Sequence, residues 1–156
     1  MKWTKTDIKK YIDAKKYVDT ILVPLIPFHL SNDNDLEKST FQGEVLSVFS
    51  NEIEKELTGR VLLTPKYHYL KSARKEDEVG RINTWIEDIH KQPVTHLFFI
   101  TFDSGWKKSE QALNGNLIWL PGIHSGDLHS KEMRAIIRDQ VEQVVDLIRS
   151  YWNDCK

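Results

Sequence analysis

The sequence predicts an α/β layered single domain spanning residues 1–156, with three parallel strands, a fourth strand of open direction, and four flanking helices. Short, almost wholly apolar runs, "TILVPLIPF" (20–28), "RVLLTPKYHYL" (60–70) and "THLFFITFD" (95–103), alternate with segments of helical apolar spacing. Strands covered on both faces read as continuous apolar runs, and their alternation with helices argues for parallel pairing through crossovers. A chain of 156 residues, 40% hydrophobic and 29% charged, fits one globular domain with a full core.

The first helix is expected over 6–18, where Ile8, Tyr11, Ile12, Lys15 and Val18 fall at helical spacing and Thr6 can cap the start. Its lysines (Lys2, Lys5, Lys9, Lys10, Lys15, Lys16) interleave with Asp7, Asp13 and Asp19, as on a solvated face rather than a membrane-binding one. The first strand follows at 20–28. "SNDNDLEKS" (31–39) reads as a loop, and a second helix over 40–57 turns Phe41, Val45, Val48, Phe49, Ile53 and Leu57 inward. Gly59 supplies a left-handed stop. After the strand at 60–70, a third helix at 76–91 carries the stripe Val79, Ile82, Trp85, Ile86 and Ile89, and Pro93 ends it.

The strand at 95–103 is followed by a fourth, "NLIWLPGI" (116–123). The connection at 104–116 is barely long enough for a crossover helix, and Asn114-Gly115 is the commonest hairpin signal, which tips the fourth strand towards antiparallel. The last helix has the clearest pattern: Met133, Ile136, Ile137, Val141, Val144, Val145, Ile148 and Trp152, with Ser130 as N-cap.

Pro24, Pro65 and Pro121 each stand late in a strand run, and proline, lacking an N–H, marks strand ends, edges or bulges. Open α/β sheets bind ligands beyond the carboxyl ends of their parallel strands. His29, Tyr67, His68 and Asp103 should therefore share one rim, the candidate ligand-binding site. With a parallel fourth strand His124 and Asp127 join it; with an antiparallel one they lie at the opposite edge. His124, Asp127 and His129 are also candidate metal ligands by residue type, although their loop carries no HExxH spacing. The competing reading has Asp127 or Ser130 capping the last helix and both histidines facing water, so no cofactor is expected unless this loop holds a metal.

Other chemistry finds no motif: there is no GxGxxG, Walker loop or GxSxG elbow. With 22 basic and 23 acidic residues the net charge is −1, which gives no electrostatic footprint for nucleic acid. The sole cysteine, Cys155, excludes an intramolecular disulfide; a reduced, cytoplasmic compartment is the default. The first twenty residues alternate apolar and charged, unlike a signal peptide, and "ILVPLIPF" is too short to span a bilayer. Trp3 and Trp106 stand in a terminus and a loop, making them candidate interface anchors if they do not fold back onto the domain. Trp85, Trp119 and Trp152 sit on apolar periods and belong to the core. The sequence thus favours a non-catalytic cytoplasmic binding module with a protein partner, oligomeric state unassigned. The alternatives are a small metal-dependent hydrolase using His29, His68, Asp103 and His124, and a small-molecule sensor at the strand-end rim.

The opening "MKW…DI..Y…K.YVDT", the strand "LVPLIP" and the loop "WLPGIHSGDL" resemble the YpiF-like family, a group of small uncharacterised proteins from spore-forming Gram-positive bacteria. The likeness covers the whole chain. It implies a single cytoplasmic domain and, because the family has no assigned activity, no catalytic residues to carry over. Creatininase-type amidohydrolases also place His and acidic ligands at strand ends, but "PFHLSND" lacks their glutamate-x-histidine-glycine pattern.

Overall fold

The computed structural model describes residues 1–123 and 126–154. Helix α1 (Lys5–Ala14), extended by one 3-10 turn, leads into β1 (Thr20–Phe28) and α2 (Asp33–Glu56). The short strands β2 (Val61–Leu63) and β3 (Tyr67–Leu70) follow, then α3 (Lys75–Ile89) and β4 (His96–Thr101). A 3-10 segment (Ser104–Ala112), β5 (Asn116–Trp119) and α4 (Lys131–Asp154) complete the order. The strands run β2-β1-β4-β5, with β3 also on β1, and every pairing is parallel.

Period-2 alternation assigns the faces. Leu22, Ile26, Phe98, Ile100 and Ile118 pack against α2 and α4. Ile21, Val23, Leu25, Leu97 and Phe99 face α1, α3 and the 3-10 segment. Both faces are covered, which is why β1 and β4 are apolar on both sides between Thr20, His96 and Thr101 at their ends.

The fourth strand, β5, is parallel, with Phe98 opposite Asn116 and Thr101 opposite Trp119. The lean towards antiparallel is corrected, for two reasons. A 3-10 segment rises about 2.0 Å per residue, so its nine residues cover roughly the ~20 Å that β4 advances. And a type I′ turn needs positive φ at both central residues, whereas among the described residues only Gly59 and Gly126 have it. Gly115 serves close approach instead: a Cβ there would stand 2.6 Å from Leu97 Cδ2 and 2.8 Å from Phe99 Cε2.

Three boundaries also move. The α1 cap is Thr4, whose hydroxyl accepts the Asp7 amide at 3.2 Å, rather than Thr6. Helix α2 begins at Asp33, so most of "SNDNDLEKS" is helical: Asn32 caps the Asn34 amide at 3.1 Å, and Asp33 and Asp35 suit the positive end of the dipole. The run 60–70 is two strands. Its partners on β1 are offset by 41 residues in β2 (Thr20 with Val61) and by 42 in β3 (Leu25 with Tyr67), so one extra residue bulges between them.

Pro24 explains that interruption. On β1 the Thr20 amide donates to Arg60 O and Leu22 O accepts from the Thr64 amide, so by alternation the Pro24 nitrogen faces the same side. It has no proton to give, and the edge strand breaks there. Pro24 itself lies inside the central strand, opposite Ile100, rather than at its end. Pro27 faces the other way, towards β4, just past the last β1–β4 pair; the Thr101 hydroxyl reaches across to Leu25 O at 3.0 Å and the two strands part.

Candidate functional site

That parting opens a cleft. The chain passes from β1 through α2 to β2 on one side, and from β3 through α3 to β4 on the other, so the winding reverses between β1 and β4. Crevices at such a reversal, beyond the carboxyl ends of the strands, are where doubly wound sheets take ligands. Here the crevice has a volume of about 340 Å³. Its floor is Leu25 to Pro27 and Phe102; one wall is the α2 face bearing Asp35, Lys38, Ser39, Gln42, Gly43 and Leu46, and the other carries Lys71, Lys75, Asp103 and Ser104.

Asp103 is the best-anchored polar group in it. Its Oδ2 accepts from the Tyr69 hydroxyl at 2.6 Å and from Lys75 Nζ at 3.1 Å, and its Oδ1 accepts from the Gly105 amide at 2.9 Å. The Tyr69 oxygen in turn accepts from the indole N–H of Trp106 at 2.9 Å. Burial works against the Asp103 carboxylate, but the Tyr69 hydroxyl, the Gly105 amide and Lys75 outweigh it and hold the carboxyl below its usual range. The same contact, added to burial, pushes the Tyr69 phenol far up. Lys75 spends one of its N–H donors on Asp103 and has further donors for the cleft. Lys38 and Lys71 form no ion pair among the described residues.

The residues expected at the rim divide between two places. Asp103 lies in the cleft. His29 and His68 line a neighbouring groove on the β3 side, where His29 Nε2 is 2.9 Å from the Ser39 hydroxyl. Ser39 and Gly43 wall both depressions and form the divide. Tyr67 is not at the rim: the strand resumes after Pro65, placing Tyr67 opposite Leu25 in the sheet, where its hydroxyl donates to the buried Glu78 at 3.0 Å. Burial and that carboxylate push the phenol up to about 12.

Trp106 is likewise corrected as an interface anchor. It is fully buried, edge-on to Tyr69 with ring centres 5.2 Å apart, because the 3-10 segment lays it onto the α3 face of the sheet. Trp3 is 63% exposed. Because β5 is parallel, its exit reaches the same rim, and a Cβ on Gly122 would touch Gln42 of α2. His124 lies outside the described residues. Asp127 and His129 are exposed; Asp127 Oδ1 accepts the His129 amide at 2.9 Å, and Ser130 caps α4 through the Met133 amide at 3.1 Å. Among the described residues no three His, Cys, Asp or Glu side chains are grouped to hold a metal ion.

Sequence reasoning missed Lys38, Ser39, Gly43, Lys71, Lys75 and Ser104. Lys38 and Ser39 were hidden because their helical turn read as loop. The available signal was the spacing 35, 38, 39, 42, 43, 46, which is one face of a helix opening directly after the central strand.

The sequence profile of a family described as "Protein of unknown function (DUF2487)" matches residues 9–152. The chain belongs to this family. A relative, "Uncharacterized protein YpiF" of Bacillus subtilis (strain 168), is 30% identical over 156 residues, covering 98% of this chain and 99% of that one. This agrees with the resemblance carried by "LVPLIP" and "WLPGIHSGDL". No solved structure matches the chain. Among its described residues no helix is long and apolar enough to cross a membrane.

Proposed function

We propose that this protein is a cytoplasmic small-molecule-binding domain whose ligand occupies the cleft between the ends of β1 and β4. One observation carries the reading: the reversal of winding between β1 and β4 coincides with a polar cleft of about 340 Å³, within the size range of ligand sites. The four-residue chain Trp106–Tyr69–Asp103–Lys75 fixes one wall, as a binding surface set in advance requires. A single cysteine in the chain suits the reducing compartment. The hydrolase reading has less support, since His29 and His68 line one depression and Asp103 the other.

The test is ligand-observed saturation-transfer NMR with a library of water-soluble fragments, on the wild type and on two plugged variants. Gly43→Leu fills the helix wall and Ser104→Leu the opposite one, and circular dichroism checks that both fold. Fragments that bind the wild type and are lost from both variants support the reading. No bound fragment, or fragments indifferent to both plugs, would overturn it.

A protein partner is the second reading, favoured by Trp3, Ile12 and Tyr17, which are 63%, 58% and 62% exposed. A second copy of the chain is the first partner to test, by sedimentation equilibrium of the wild type against Trp3→Ser. Self-association lost in the variant supports this reading; a monomer throughout removes that partner.

A further inference from the structure

We propose that the occupant of the cleft is a small oxyanion of two or more charges, held by Lys38 from one wall and by Lys71 and Lys75 from the other. This rests on the ligand-binding reading above and names the chemistry of the ligand.

The argument is one of charge accounting within the cavity. Three ammonium groups and two carboxylates line it: Lys38, Lys71 and Lys75 against Asp35 and Asp103. Asp103 is already engaged by the Tyr69 hydroxyl, the Gly105 amide and Lys75, whose charge it pairs. Asp35 accepts from Asn32 Nδ2 at 3.0 Å and sits in the first turn of α2, where the helix dipole favours its charge. Lys38 and Lys71 have no carboxylate at ion-pair distance among the described residues. The uncompensated charge facing the cavity is therefore positive.

The donors are also suited to oxygen. Each ammonium carries three N–H groups with no acceptor role, and Lys75, with 18% of its side chain exposed, works where water screens poorly. The Ser104 hydroxyl adds a neutral donor on the same wall as Lys71. Asp103 then has a positioning role. By accepting from Lys75, and being fixed itself by Tyr69, it holds the ammonium at the cleft wall, where the nitrogen also stands 5.0 Å from the Tyr69 ring centre and 5.4 Å from that of Trp106.

The glycine at the divide points the same way. Gly43 sits within α2, where glycine costs about 1 kcal/mol relative to alanine. A Cβ there would meet only Ile26 Cγ2, at an ordinary 3.7 Å, so packing does not demand glycine. Open space above α2 at this position is what an occupant lying between Lys38 and Asp103 needs.

The probes are pyrophosphate and citrate, which share this chemistry but separate phosphate from carboxylate ligands. They are titrated into the full 15N-labelled chain at ionic strength held constant with KCl. The expected result is a saturable set of amide shifts centred on Lys38, Ser39, Lys71, Lys75 and Ser104 for at least one probe. The Lys38→Gln, Lys71→Gln double variant should weaken that binding roughly tenfold or more, since it removes two charge-assisted contacts. A Lys9→Gln, Lys10→Gln control on α1, equal in charge change, should leave it within about twofold. The inference is overturned if neither probe saturates by about 10 mM, a concentration reached by even millimolar binding. It is equally overturned if the two double variants lose binding alike, which marks diffuse attraction. Neutral fragments blocked by Gly43→Leu, with neither anion bound, would sink the oxyanion assignment and leave the cleft as a ligand site. Fragments indifferent to the plugs would sink the cleft itself.

Discussion

The Tyr69 hydroxyl donates to Asp103 Oδ2 at 2.6 Å, joining the last turn of the edge strand to the loop leaving β4 across the central strand between them. The same oxygen accepts the Trp106 indole N–H, so one atom serves a half-buried carboxylate and a buried indole. Tyr69→Phe keeps the ring packing but leaves that N–H without an acceptor. Stability should fall by about 2–3 kcal/mol, the cost of an unmade bond to a charged group together with a stranded donor. Urea unfolding measures it, and a near-ultraviolet circular dichroism change should accompany it as the Trp106 environment loosens.

Asp103 also sets an acid limit. An unfolded aspartate titrates near 3.9, and the folded carboxyl lies lower. Its contribution is therefore complete above about pH 4 and is lost as pH falls through the folded value. Asp103→Asn should cost about 1–2 kcal/mol at pH 7 and less at pH 2.5, below the unfolded value, where part of that contribution has been lost. Urea midpoints at both pH values check this; an equal deficit at the two would refute the linkage.

At the opposite end of the sheet, Arg60 grips Asp19 with two parallel bonds, Nε to Oδ1 at 2.9 Å and Nη2 to Oδ2 at 3.1 Å, and its guanidinium lies 3.9 Å from the Trp152 ring centre. Lysine keeps the charge but not the fork or the flat stack. Because the Arg60 side chain is 40% exposed, Arg60→Lys should cost only about 1 kcal/mol, less in 1 M salt. Chemical denaturation at low and high salt tests both the size and the sign of the salt effect.

Two glycines should answer the same substitution in opposite directions. Gly43→Ala removes a helix-interior glycine without a clash and should add about 0.5–1 kcal/mol. Gly115→Ala drives a methyl into Leu97 and Phe99 and should cost about 1–3 kcal/mol. Thermal melts of the pair provide the comparison, and like-signed shifts would contradict these contacts.

Most of the architecture was legible because burial on both faces forces unbroken apolar runs. "ILVPLIPF" and "THLFFITFD" could be little else, and Met133 to Trp152 repeat at helical spacing. The direction of β5 was not legible, since Asn114-Gly115 serves hairpins and close backbone packing with the same letters. Trp106 misled for a related reason: a polar 3-10 segment hides which of its residues turns inward. Of the cleft, Asp103 could be read from its place after a strand. Lys71 and Lys75 could not, because lysines in a polar loop look like ordinary surface until the fold gathers them beside Lys38.

The one-residue offset between β2 and β3 bears on how copies of this protein behave in a crowded solution. An edge strand left unpaired is a template on which a strand from another molecule can build. Here that edge presents stubs of three and four residues, out of phase by one and separated by Pro65, and Met1 O already takes the Leu63 amide at 2.7 Å. An incoming strand in register with one stub would be out of register with the other. The missing proton of Pro24, deep in the central strand, thus guards the flank of the sheet against sideways growth.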